Sequence, residues 1–258
     1  MPRRIRAKLS CLGTAQLYPR NPIVIAWWSA AFPGFGHILL NMHLKGNLFF
    51  IFEIVINVNM KLNLAMVYTF CGKFESAKQV LNTRWALLYI PFYIFCLWDS
   101  YRSTIETNKL YSLAKQEILS MKVLEMTTYE ICYLDKRKPY VGAFSSFFMS
   151  GLGQIYTRRN LTAIPMLIWT LVITYFSRDL ESFQYLIRGD FTTAVHVLDL
   201  EWFLFLPSLV FGTSYDAYAS TIEQNQLFID EQTEYFRREW QPEGFSIDFV
   251  SREGDYLW

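Results

Sequence analysis

Displaced by 117 residues, the chain repeats itself. Across residues 20–110 the shift aligns without a gap and matches 28 positions identically, among them Arg20, Pro22, Gly34, Gly36, Gly72 and Trp85. It also matches a whole DxYxSTIExN segment that begins at Asp99 and again at Asp216. Apolar bias alone would pair Leu, Ile and Val by chance, but not Pro22 with Pro139, Gly72 with Gly189 or Trp85 with Trp202. The chain is therefore expected to be a tandem duplication in which both copies adopt one fold.

Each copy holds three long apolar stretches. Residues 22–40, 85–98, 139–157, 160–177 and 202–215 contain no Asp, Glu, Lys or Arg, and residues 46–72 are interrupted only by Glu53 and Lys61. A hydrocarbon layer about 30 Å thick takes roughly 20 helical residues, so the first two stretches of each copy are long enough to cross it. The third reaches only about 21 Å and needs its flanks. Composition agrees: 52% hydrophobic, 18% aromatic and 18% charged residues exclude a disordered, collagenous or nucleic-acid-binding chain. The 22 Phe, 16 Tyr and 8 Trp are the excess found where amphipathic rings settle at membrane interfaces.

The expected fold class is thus an all-α membrane protein of two tandem three-helix repeats, about six transmembrane helices in all. Short amphipathic interfacial helices are expected at GKFESAKQVL and GDFTTAVHVL. The segments are a basic N-terminal tail (1–21), a first membrane repeat (22–111), a charged connector (112–138), a second repeat (139–228) and an acidic, aromatic C-terminal tail (229–258). Three crossings per copy would make the repeats inverted. The alternative is that one apolar stretch per copy turns back without crossing, which would put residues 100–138, with their seven basic residues, on the same side as the N-terminus.

Charge is placed unevenly. Arg3, Arg4, Arg6, Lys8 and Arg20 stand in the first 20 residues without an acid, which suits a cytoplasmic N-terminus in a multi-pass protein of the cytoplasmic membrane. No short apolar core and small-residue cleavage site follow them, so the first stretch reads as an uncleaved anchor. From Glu223 onward nine acids face three arginines. Cys11, Cys71, Cys96 and Cys132 lie too far apart in sequence for a zinc or dithiol pair and read as small hydrophobes or unpaired thiols.

FPGFGHILL and its counterpart MSGLGQIYT resemble the PGxGQxY signature of small bacterial membrane domains related to the two-helix transmembrane-hairpin family. The matching positions are Pro33, Gly34, Gly36 and His37, then Gly151, Gly153, Gln154 and Tyr156; Ser150 replaces the proline in the second copy, and His37 replaces the usual glutamine. WDSYR and YDAYA resemble the DAYR-like segment that follows in that family. The resemblance implies a bacterial membrane-hairpin fold and no activity. The glycines at 34, 36, 151 and 153 are expected to let helices approach closely.

Glu53 is the sharpest candidate for a functional group, because an ionisable side chain amid NLFFIFEIVINV is costly to bury in hydrocarbon. It heads a polar line with Asn57 and Lys61, matched in the second copy by Thr170, Thr174 and Arg178. Such a stripe serves either a solute path or an interhelical hydrogen-bond seam. In the repeated segment, Asp99, Tyr101 and Glu106, with Asp216, Tyr218 and Glu223, read as a solvated helix extension with a structural role at the interface. His37, His43 and His196 lack metal-ligand spacing, and no nucleophile, phosphate-loop or dinucleotide pattern occurs. The expectation is a non-catalytic envelope protein without cofactor. Its partners are the lipid bilayer and a protein docked through the C-terminal tail, with no nucleic acid. A small inverted-repeat transporter, with Pro91, Pro165 and Pro207 as candidate helix breaks, is the alternative.

Overall fold

A computed structural model describes residues 4–10, 12–117, 121, 123–128 and 131–241. Those residues are mostly helical. The first copy opens with an antiparallel hairpin, β1 (Ala7–Ser10) and β2 (Gly13–Gln16). Six helices follow: α1 (Pro22–Ala31), α2 (Phe35–Leu39), α3 (His43–Met60), α4 (Leu62–Phe70), α5 (Phe74–Val80) and α6 (Thr83–Ala114). The second copy runs β3 (Leu124–Met126), β4 (Ile131–Tyr133), α7 (Pro139–Phe148), α8 (Leu152–Tyr156), α9 (Asn160–Ser177), α10 (Asp179–Ile187), α11 (Phe191–Val197), α12 (Leu200–Phe203) and α13 (Phe205–Trp240). Through α11 each element starts at the 117-residue offset or, for the β2 and β4 strands, one residue from it. The hairpins fall in the segments read as tail and connector, so the structural unit begins ahead of residue 22.

The apolar stretch 22–40, expected as one crossing, doubles back. Asn21 caps α1 by accepting from Ile23 N, and Pro22 supplies a first-turn residue that lacks an N–H. After ten residues, about 15 Å, Phe32 turns extended, a conformation that the following Pro33 favours. Gly34 then takes φ 95° and starts α2 in a new direction. Met149 and Gly151 repeat this break in the second copy, Gly151 at φ 107°. Both ends of the doubled stretch meet at one end of the molecule: Arg20 is held by Asn108 of α6, and Asn41 donates to Gln16 O beside β2.

Six separate helices long and apolar enough to cross a membrane are not found among the described residues. Among the described residues only α9 is by itself long and apolar enough to cross a membrane. Three bent pairs qualify if each is one span: α3 with α4 (59°), α5 with α6 (87°), and α11 with α12–α13 (80°). The bends fall at Lys61, at φ 62°, and in short connections, not at the expected prolines: α6 and α9 continue through Pro91 and Pro165, and Pro207 lies in the first turn of α13.

The copies also run parallel, not inverted. α3 and α9 begin side by side, with His43 Nδ1 3.5 Å from Thr162 Oγ1 and Arg159 donating to Asn41 Oδ1 at 3.1 Å. At the opposite end Asn82 N donates to Met60 O, Asp199 N to Ser177 O, and Asn63 Nδ2 to Glu201 O. A doubled-back stretch leaves each copy two traversals, so both copies start from the same end. The core between them is aromatic: Phe32 stacks on Phe50 at 4.1 Å, and Phe35 packs beside Gly212, where a Cβ would lie 2.9 Å from the ring. Met166, Ile173, Phe205 and Leu209 close the cluster from the second copy.

Candidate functional site

The two motifs that the sequence presents separately meet in the fold. The residue after the second motif glycine reaches the aspartate of the DxYxSTIExN segment: His37 Nε2 lies 2.8 Å from Asp99 Oδ2, and Gln154 Nε2 donates to Asp216 Oδ2 at 2.9 Å. A cation completes each group, but from different positions. Lys45 pairs with Asp99, whereas Arg159 pairs with Asp216 at 2.8 Å. Gly36 and Gly153 make these approaches possible. A Cβ on Gly36 would sit 2.6 Å from Ile25 O, and one on Gly153 2.7 Å from Ala217 Cβ.

Around these anchors lies a polar end built from both copies. Asn108 Oδ1 accepts from Arg20 N at 3.0 Å and its Nδ2 donates to Arg20 O at 2.8 Å; Asn225 holds Arg137 in the same way, at 2.8 and 2.7 Å. The Arg20 side chain crosses to the other copy, 2.6 Å from Glu223 Oε1. Burial works to lower its pKa, but the carboxylates of Glu223 and Asp216 more than reverse this and raise it, so the guanidinium stays charged. Arg6 pairs with Asp230, and Gln16 Nε2 reaches Glu223 at 3.4 Å.

The repeated segments are therefore not simply solvated extensions. Asp99, Ser103, Asp216, Ser220 and Glu223 are buried, while Tyr101, Tyr218 and Glu106 are exposed, and Glu106 pairs with neighbouring Arg102. Identical residues at matching positions thus diverge in environment: Gln16 and Arg20 reach Glu223 of α13, whereas the N-terminal segment meets α6 at Asn108 and Tyr111 and not at Glu106.

At the opposite end, the polar stripe divides. Glu53 is buried and its Oε1 accepts from Asn57 Nδ2 at 3.1 Å and from Tyr89 OH at 3.3 Å. Glu53 Oε2 and Asn57 Oδ1 are buried without a hydrogen-bond partner. Both residues line a cavity of about 320 Å³ with Asn63, Tyr89 and Tyr93. Lys61 does not continue the line but forms the bend between α3 and α4. In the second copy Thr170 bonds back to Met166 O, Thr174 is half-buried in α9, and Arg178 forms the matching bend at φ 56° and pairs with Glu181. The stripes of the two copies therefore do not form one shared path.

Sequence reading missed Tyr89, Asn63 and Glu201. Glu201 Oε2 accepts from Leu64 N at 2.8 Å, tying α12 to α4, and the copies have arginine and leucine where these pairs would repeat, so nothing in the duplication marks them. Of the aromatic residues in the C-terminal tail, through which a protein partner is expected to dock, Phe245, Phe249, Tyr256 and Trp258 lie outside the described residues; Trp240 ends α13 and is exposed. Comparison with protein-family models, curated proteins and solved structures finds no match.

Proposed function

We propose that this is a non-catalytic, multi-pass protein of the bacterial cytoplasmic membrane, serving as an assembly or docking platform in the envelope. In this reading α3, α6, α9 and α13 cross the bilayer, the doubled-back stretches 22–40 and 139–157 are re-entrant, and the two tandem repeats are parallel. The observation that carries it is the gathering of both hairpins and both DxYxSTIExN segments at one polar end, away from an apolar waist. Leu87, Ile90 and Ile94 on α6, Phe144 and Phe148 on α7, and Ile164, Ile168 and Leu171 on α9 are all exposed, more than a water-facing surface carries without a partner.

Charge supports the orientation. Of the 21 lysines and arginines among the described residues, only Lys61, Lys73, Lys78, Arg84, Arg178 and Arg188 belong to the opposite end, and the other 15 belong to the hairpin end. The positive-inside rule then makes the hairpin end cytoplasmic. α13 ends at Trp240 on that side, and in this reading the acidic segment that follows it in sequence meets a cytosolic partner. The test is one cysteine at exposed Ser112 in a background lacking the native cysteines, probed with a membrane-impermeant maleimide. Labelling only after lysis supports parallel repeats with a cytoplasmic platform; labelling of intact cells overturns it. Deleting residues 240–258 is expected to remove co-purifying proteins without removing the protein from the membrane. A small-solute transporter is the second reading, favoured by the cavity beside Glu53; the parallel copies give it no inverted-repeat support.

A further inference from the structure

We infer that the cavity beside Glu53 binds an alkylammonium group, with the Glu53 carboxylate as its counter-ion. The inference needs only the cavity and not the platform reading. Apart from the Ser208 hydroxyl, its polar wall is short of donors. Asn57 Nδ2 is directed at Glu53 Oε1 and, at 3.5 Å, at Asn63 Oδ1; Tyr89 OH donates to Glu53 and Tyr93 OH to Ala30 O. What remains is a buried carboxylate oxygen and a buried amide oxygen, Glu53 Oε2 and Asn57 Oδ1, both acceptors without partners.

A ligand that satisfies this wall must bring N–H donors, and a positive charge makes those bonds stronger. An anion would meet the carboxylate. A hard divalent cation asks for about six to eight oxygens, more than this wall leaves open. Apart from Ser208 the remaining lining is apolar, with Ala31, Pro33, Met66 and Leu204, which suits carbon attached to the charged nitrogen. The rings of Tyr89 and Tyr93 add surfaces that attract a cation. At about 320 Å³ the cavity is at the small end of ligand sites, large enough for a short-chain amine or the headgroup of an aminophospholipid.

The test uses the full chain in detergent, following thermal unfolding while ethylammonium chloride is titrated against equal concentrations of potassium chloride and tetramethylammonium chloride. Ethylammonium is expected to raise the unfolding temperature saturably. Tetramethylammonium, with the same charge and no N–H, is expected to bind at least tenfold more weakly in the unmodified protein, a comparison that does not depend on any variant folding. Glu53→Gln is expected to weaken the ethylammonium response at least tenfold. Equal stabilisation by potassium, an unchanged response in Glu53→Gln, or no response to ethylammonium together with no lipid preference overturns the proposal. Nanodiscs of phosphatidylethanolamine and phosphatidylcholine separate the sources: selective, Glu53-dependent retention of the former by native mass spectrometry assigns a lipid headgroup, whereas an ethylammonium response without it assigns a soluble amine.

Discussion

Arg159 Nη1 donates to both carboxylate oxygens of Asp216 at 2.8 Å, with 4% and 1% of the two side chains exposed. The equivalent Asp99 is paired with Lys45, whose side chain is 40% exposed. One aspartate position, repeated in the sequence, therefore carries different energetic weight in the two copies. Asp216→Ala is expected to leave a buried guanidinium without its counter-charge and to destabilise by about 3–5 kcal/mol. Asp99→Ala, whose lysine can turn to solvent, is expected to cost about 1–3 kcal/mol through its lost hydrogen bonds. Thermal unfolding of both variants in the same detergent checks the difference, and equal losses would refute it.

Gly36→Ala and Gly153→Ala are expected to prevent the close helix approach, because each new methyl meets backbone or Cβ atoms that cannot swing away. Gly72→Ala meets nothing within 4 Å and suffers only its positive φ of 74°, a cost of about 1 kcal/mol. Size-exclusion profiles in detergent should show aggregation or loss for the first two and a normal peak for the third.

Asn108→Ala and Asn225→Ala each remove a two-bond clamp on the backbone entering a doubled-back stretch. Each is expected to cost about 1–3 kcal/mol, since part-buried backbone groups lose their partners. Hydrogen exchange should quicken locally, near residues 20–24 in the first variant and 137–141 in the second. Uniform quickening across the chain would count against a local clamp.

Arg20→Met is expected to destabilise more than Arg137→Met, because Arg20 joins the copies through Glu223 whereas Arg137 lies over the Tyr156 ring, 5.4 Å from its centre. The raised pKa of Arg20 fixes the sign of the pH dependence. Its contribution is present below the ordinary guanidinium pKa and is lost only as pH rises through the higher folded value. The stability gap between the protein and Arg20→Met should therefore stay flat from about pH 7 to about pH 10. A gap that closes within that range would show that the guanidinium is not the source.

The duplication and the helical content were legible in the sequence because they depend on local pattern. Pro22, the motif glycines and the apolar runs act within a few residues of themselves, and both copies reproduce their effects at the same offset. Glu53 stood out for the same reason: a charge inside an apolar run is costly wherever the run is buried. The path of the stretch 22–40 was not legible, because an apolar length of 19 residues is the same whether the chain runs straight on or folds at Phe32 and returns.

By itself, then, the sequence determined that two like units exist, that they are helical and apolar, and which residues could not be accommodated in an apolar environment without a partner. Only the tertiary structure decided who those partners are. His37 meets Asp99 across 62 positions and Arg20 meets Glu223 across 203. Such pairings are set by how α1, α6 and α13 pack, and packing energy is summed over many side chains from distant segments. The same packing makes identical residues unequal: Glu106 is exposed and pairs with its neighbour Arg102, whereas Glu223 is buried and meets Arg20 and Gln16 from the N-terminal segment.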